Sequence, residues 1–106
     1  MTPRTLQILL ALADGPLHGY GIKTSVEERA RGSVRIGAGT LYEAIQRLEG
    51  EGLIREVGEP GDADASGGPP RRFYGLTPVG RAALREELRR LDDIVRSRTA
   101  RAVLNS

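Results

Sequence analysis

Arginine supplies fifteen of the sixteen basic side chains of this 106-residue chain, Lys23 being the other. A guanidinium offers paired donors in a plane, which match two phosphate oxygens or the edge of a guanine. GC-rich coding DNA produces the same bias, so an ordinary solvated surface competes with an anion site until position is considered. Other reactive groups are sparse. His18 is the one histidine and cysteine is absent, which removes thiolate nucleophiles, disulfides and cysteine metal sites. A lone histidine is expected as a helix cap or hydrogen-bonding group rather than a ligand. The acids are patterned for a surface and form no cleft-like pair, so no catalytic residue, no metal site and no cofactor are expected. Gly37-x-Gly39 lacks the third glycine and the βαβ setting of a nucleotide loop. The chemistry on offer is anion binding, not bond breaking.

Those residues need a scaffold, and the length allows one domain with a modest core that a self-association surface would help to stabilise. Apolar residues make up 39% and charged residues 28% of the chain, with a formal net charge of +2. These fractions exclude a wholly disordered chain. No apolar run approaches the roughly 20 residues that a bilayer needs. Met1-Thr2-Pro3-Arg4 leads directly into an amphipathic stretch without a leader pattern, so a cytoplasmic protein is expected.

Periodicity predicts a helix over Thr5 to Ala13, with Leu6, Leu9, Leu10 and Ala13 at helical spacing, stopped by Asp14-Gly15-Pro16. A second opens at His18-Gly19-Tyr20-Gly21, carries Ile22, Val26 and Ala30, and stops at Arg31-Gly32-Ser33. Val34-Arg35-Ile36 is a β-prone link to a third helix, which begins at Gly37-Ala38-Gly39-Thr40 and buries Leu41, Ala44, Ile45 and Leu48. Gly50 or Gly52 ends it. Leu53 to Val57 and Arg72 to Leu76 read as paired strands around a tip, 58–70, rich in Gly, Pro, Asp and Ala. Thr77-Pro78 then starts one long helix to about Val103. The fold class is mainly α with a small β-hairpin (α+β).

Three short helices and a hairpin give the order of a winged helix-turn-helix, in which the third helix reads the major groove and the hairpin is the wing. On that pattern 1–76 form the DNA-binding domain, with the wing at about 53–76, and 77–106 form a dimerisation helix. Thr40, Glu43, Gln46 and Arg47 fall toward the open face of the third helix. Gln46 matches adenine, and Arg47 a guanine or a phosphate. Thr40 serves either as a phosphate donor near Gly39 at the helix start or as a plain N-cap. Tyr42 serves either as a phosphate donor or as a side chain half-buried on the second helix. His18, Tyr20 and Lys23 lie near the start of the second helix, which crosses the DNA backbone in this docking. Arg35, Arg71 and Arg72 are further backbone candidates. Asp62 and Asp64 in the tip oppose wing binding, so the tip is expected to point away from DNA or to stay disordered.

Leu84, Leu88, Leu91 and Val95 form a short seam like the a and d positions of a coiled coil. A helix of about 25 residues at roughly 1.5 Å each outruns a small domain. A second copy, packed also against Leu6 and Leu10, would cover it. Two-fold symmetry would then set two reading helices about 34 Å apart on a palindromic operator. A winged-helix module that binds protein instead stays open. A positive band of Lys23, Arg35, Arg47 and Arg71 favours DNA, and an acidic band of Glu43, Glu49 and Glu51 favours the module.

Five blocks add a family likeness: Leu17-His18-Gly19-Tyr20-Gly21-Ile22, Gly39-Thr40-Leu41-Tyr42, Arg47-Leu48-Glu49, Glu51-Gly52-Leu53-Ile54, and Tyr74-Gly75-Leu76-Thr77-Pro78-Val79-Gly80. In this order, from about Leu6 to Leu91, the chain resembles the PadR family of transcriptional regulators. It departs from the common family pattern at Glu43, where proline is usual, and at Gly37-Ala38, where Ser-Pro is usual. The resemblance implies a dimeric repressor of the short branch, in which the last helix dimerises. It also implies a small-molecule or stress signal as effector, with a pocket between the dimerisation helices and the DNA-binding domains.

Overall fold

The protein is described by a computed structural model over residues 1–33, 35–58 and 71–106. Among these residues the elements run α1 (Pro3–Ala13), β1 (Leu17–His18), α2 (Gly19–Arg29), α3 (Ala38–Gly50), β2 (Ile54–Val57), β3 (Phe73–Leu76), α4 (Pro78–Arg96) and α5 (Arg98–Leu104). Val34 of the expected link, and the expected tip from residue 59 onward with Asp62 and Asp64, lie outside the described residues.

Helix starts follow the local chemistry. Thr2 and Thr77 each accept a hydrogen bond from the backbone N–H three residues on, and each precedes a proline whose fixed φ suits the first helical position. His18 caps α2 through its ring. The N-cap of α3 is Gly37, with no side-chain bond, so Thr40 lies inside the first turn and the N-cap role open to it is not taken. Between α2 and α3 the chain turns through Arg31 at φ +52°, a left-handed conformation uncommon outside glycine.

The sheet has the order β1-β3-β2, antiparallel throughout. Pairing of β2 with β3 is the expected hairpin, in register from Ile54↔Leu76 to Val57↔Phe73. β1 was not expected. Two residues are too few to show alternation, yet Leu17↔Tyr74 and His18↔Phe73 tie the start of α2 to the wing.

One apolar cluster lies between the helices and the sheet. Ile8, Leu9 and Leu12 from α1, Ile22 and Val26 from α2, and Ile45 and Leu48 from α3 are 0–1% exposed. Ile54, Tyr74 and Leu84 close it. Leu6 and Leu10, expected at a dimer seam, are partly buried against this cluster.

The long helix corrects two expectations. Leu84 is 4% exposed, buried in the protomer's own core, because the first turns of α4 lie on α1 and β3. The helix also does not run unbroken to Val103. Ser97 takes extended ψ of 151°, its hydroxyl donating to the Ile94 carbonyl and accepting from the Ala100 N–H. A serine hydroxyl that competes for main-chain groups ends one helix and caps the next. Beyond the core, Leu88, Ile94, Val95, Val103 and Leu104 stand exposed, while Leu91 is half-buried.

Leu48→Ala removes a side chain with no exposure and should cost about 2–5 kcal/mol. Urea denaturation of wild type and variant measures that difference.

Candidate nucleic-acid interface

α3 buries one stripe, Leu41, Ala44, Ile45 and Leu48. At about 100° per residue the opposite face is Gly39, Glu43 and Gln46, and all three are exposed. A Cβ on Gly39 would meet nothing within 4 Å, so nothing in the protomer demands glycine there. Tyr42 is 57% exposed; of its two roles, burial against α2 is not observed. Thr40 is exposed beside this face. Arg47 is turned toward α1: its Nη2 donates to the Thr5 hydroxyl at 3.2 Å, and its Nη1 lies 3.6 Å from Glu51. Its guanidinium braces α3 on α1 rather than extending from the open face.

The start of α2 meets the wing. His18 Nδ1 accepts from the Gly21 N–H at 3.0 Å, and its ring stands edge-on to Phe73 with centroids 5.3 Å apart. With Nδ1 accepting, the proton of the neutral ring is on Nε2. Arg71 Nη1 approaches that Nε2 to 3.3 Å. Two donors therefore face each other, and an acceptor from outside, such as a phosphate oxygen, can take both. Tyr20, 73% exposed, lies in the first turn of the same helix. Arg72 instead pairs with Glu56 across the wing at 3.5 Å.

The turn before α3 is held by Glu27. Its carboxylate accepts from Lys23 Nζ at 3.1 Å and from the Ile36 N–H at 3.3 Å. These bonds, with the charges of Lys23 and Arg35, hold its carboxyl below the ordinary value of 4.5 against the opposing effect of burial. Lys23, expected to face the DNA backbone as a phosphate contact, is paired with Glu27 within α2. Arg35 is exposed, with no carboxylate within 4 Å among the described residues. The structure brings His18 and Arg71 together, and it pairs Lys23, Arg47 and Arg72 with acids. Glu27 and Thr5 were not singled out from the sequence; the Lys23–Glu27 spacing of four is the signal for the first, while Thr5 carries no local signal.

A carboxyl whose folded pKa is lowered stabilises the fold above its unfolded pKa and loses that contribution as pH falls through the folded value. Glu27→Gln should therefore lower stability near neutral pH. The gap from wild type should close as pH falls from about 5 toward 3, as followed by denaturant titration at each pH.

The Transcriptional regulator PadR-like family model matches residues 8–86. The transcriptional regulator Rv3488 of Mycobacterium tuberculosis is 41% identical over 91 residues, covering 86% of this chain and 78% of that protein. The 37.1 kDa protein in transposon TN4556 of Streptomyces fradiae is 42% identical over 80 residues, 76% of this chain, and the match spans only 20% of that longer protein. Among solved structures, Bacillus subtilis PadR in complex with operator DNA superposes with a TM-score of 0.64 at 24% identity, over 79% of this chain and 45% of that one. That likeness places the winged-helix fold. With a family model over most of its length and a relative at 41% identity, the chain belongs to the PadR-like family of transcriptional regulators, which are not enzymes.

Proposed function

We propose that the chain is a sequence-specific DNA-binding repressor that acts as a homodimer on a palindromic operator and is released by a small-molecule effector. The exposed face of α3 carries this reading: Gly39, Glu43 and Gln46 are backed by a buried stripe and stand exposed among the described residues. A helix so presented fits the major groove. The operator complex of Bacillus subtilis PadR supports it, because that protein has the same fold.

In this reading Gln46 pairs with a base edge, and Glu43 accepts from a cytosine amino group. The donors at His18 and Arg71, together with Arg35 and the hydroxyls of Thr40, Tyr20 and Tyr42, take phosphates and position the protein. Lys23, Arg47 and Arg72 keep the framework through Glu27, Glu51 and Glu56. Residues 1–76 form the DNA-binding unit and 77–106 the dimerisation unit. A second copy covers Leu88, Leu91, Ile94 and Val95. It would also roof the groove of about 440 Å³ between α1 and α4, walled by Leu10, Ala13, Leu84 and Leu88 with Arg85 and Arg89 beside them. That roofed space is the proposed effector site.

Titration of the DNA upstream of the chain's own gene against a scrambled duplex, at two salt concentrations, tests the reading. Tighter binding to the first supports it; equal binding to both counts against sequence-specific repression, and binding to neither favours the protein-interaction module. Arg35→Ala and Arg71→Ala should each weaken binding to every sequence and reduce the salt slope by about 1. The double variant Leu88→Asp/Val95→Asp should sediment as a monomer and lose operator binding; a variant that stays dimeric would place the seam elsewhere.

A further inference from the structure

The whole hairpin separates α3 from α4 in sequence, yet the two helices meet through main chain. α3 ends at Gly50, and the chain leaves it through Gly52 at φ +77°. The Gly52 N–H donates to the Glu49 carbonyl and the Leu53 N–H to the Leu48 carbonyl, each at 3.0 Å. This is the paired bonding of a left-handed helix stop. α4 begins directly on that stop. The Thr77 N–H donates to the Leu53 carbonyl at 3.1 Å. Its hydroxyl donates to the Gly52 carbonyl and accepts from the Gly80 N–H at 2.9 Å, so donor and acceptor are both used. A Cβ on residue 80 would stand 1.9 Å from the Leu53 carbonyl oxygen and 2.8 Å from its carbon. Gly80 is required by that approach.

These links contain no long side chain that could bend to absorb a change of angle. A rotation at the joint is therefore carried along α4. At about 20 Å from the joint, a tilt of about 10° moves the helix by about 3.5 Å, close to the roughly 3.4 Å of one base-pair step. Two-fold symmetry doubles the error.

We propose that the joint of Thr77 and Gly80 with Gly52 and Leu53 is a positioning element that sets the separation of the two reading helices, and with it the half-site spacing the dimer accepts. This rests on the dimeric, palindrome-binding reading above.

The test uses the full chain against operators whose half-sites are separated by a graded series of spacers. Wild type should show one sharp optimum. Thr77→Val and Gly80→Ala should stay dimeric but broaden or move that optimum by a base pair or more, with affinity for the wild-type spacing falling about tenfold. Binding to a single half-site should not change. Thr77→Ser, which keeps the hydroxyl, should behave as wild type. Because the chain has no cysteine, a spin label at Glu49→Cys reports the distance between the two α3 helices of the dimer by pulsed EPR, and that distance should shift in Thr77→Val. If Gly80→Ala fails to fold, Thr77→Val carries the test. Folded, dimeric variants that keep the wild-type optimum and label distance overturn the joint alone. A wild type indifferent to spacing overturns the palindromic-dimer reading, and the proposal with it.

Discussion

Among the described residues, fourteen buried apolar side chains, drawn from every element except β1 and α5, form one core. In a domain of this size there is little surplus burial, so each helix is held by a single stripe. That economy leaves whole helix faces exposed. α3 gives Leu41, Ala44, Ile45 and Leu48 to the core, and among the described residues no second element buries its other side. α4 contributes Leu84 alone to the cluster, while Leu88, Ile94 and Val95 stand exposed. Polar fixings do the work at the edges where the core ends: His18 on the start of α2, Glu27 on the turn before α3, and Thr77 on the base of the wing.

What was legible in the sequence follows from range. Apolar stripes, the Thr-Pro helix start at Thr77 and the glycine stop after α3 are local signals, and the starts and stops they mark appear where periodicity puts them; α1 begins at Pro3, two residues ahead of the expected Thr5. β1 is defined only by its partner β3, some fifty residues away, and a two-residue strand has no period to read. Arg47 illustrates the same limit. Helical spacing puts it toward the open face, but Thr5, forty-two residues earlier, draws its guanidinium to α1. Leu84 and Leu88 look alike along the seam; only the packing of α1 and β3 on the first turns of α4 separates a core residue from an exposed one.

Charge shows a related division. A nearly balanced chain with excess arginine can be read as a phosphate binder or as a solvated surface, and the structure distributes its cations between those roles. Lys23, Arg47 and Arg72 have carboxylates within 4 Å, and such exposed pairs contribute little to stability, about 0–1 kcal/mol. Their effect is geometric, since each joins neighbouring turns or strands that frame the outer face of α3. His18 and Arg71 have the opposite character, two donors in contact without an acceptor between them. Membership of the PadR-like family sets the class of action, and these local pairings set which side chains remain free to carry it out in this chain.

The break at Ser97 has an entropic side. α5 spans seven residues and buries none of them, and a helix that short forms too few hydrogen bonds to offset the loss of backbone freedom without cover. Its order is borrowed, through the Ser97 cap, from the last turn of α4. Local opening at α5 should therefore cost less than opening of the helices that supply the core. A partner that covered Val103 and Leu104 would have to meet the cost of ordering that segment before it gained from the contact. In that case the break at Ser97 would make affinity depend on how much disorder the free chain retains, as well as on which surfaces touch.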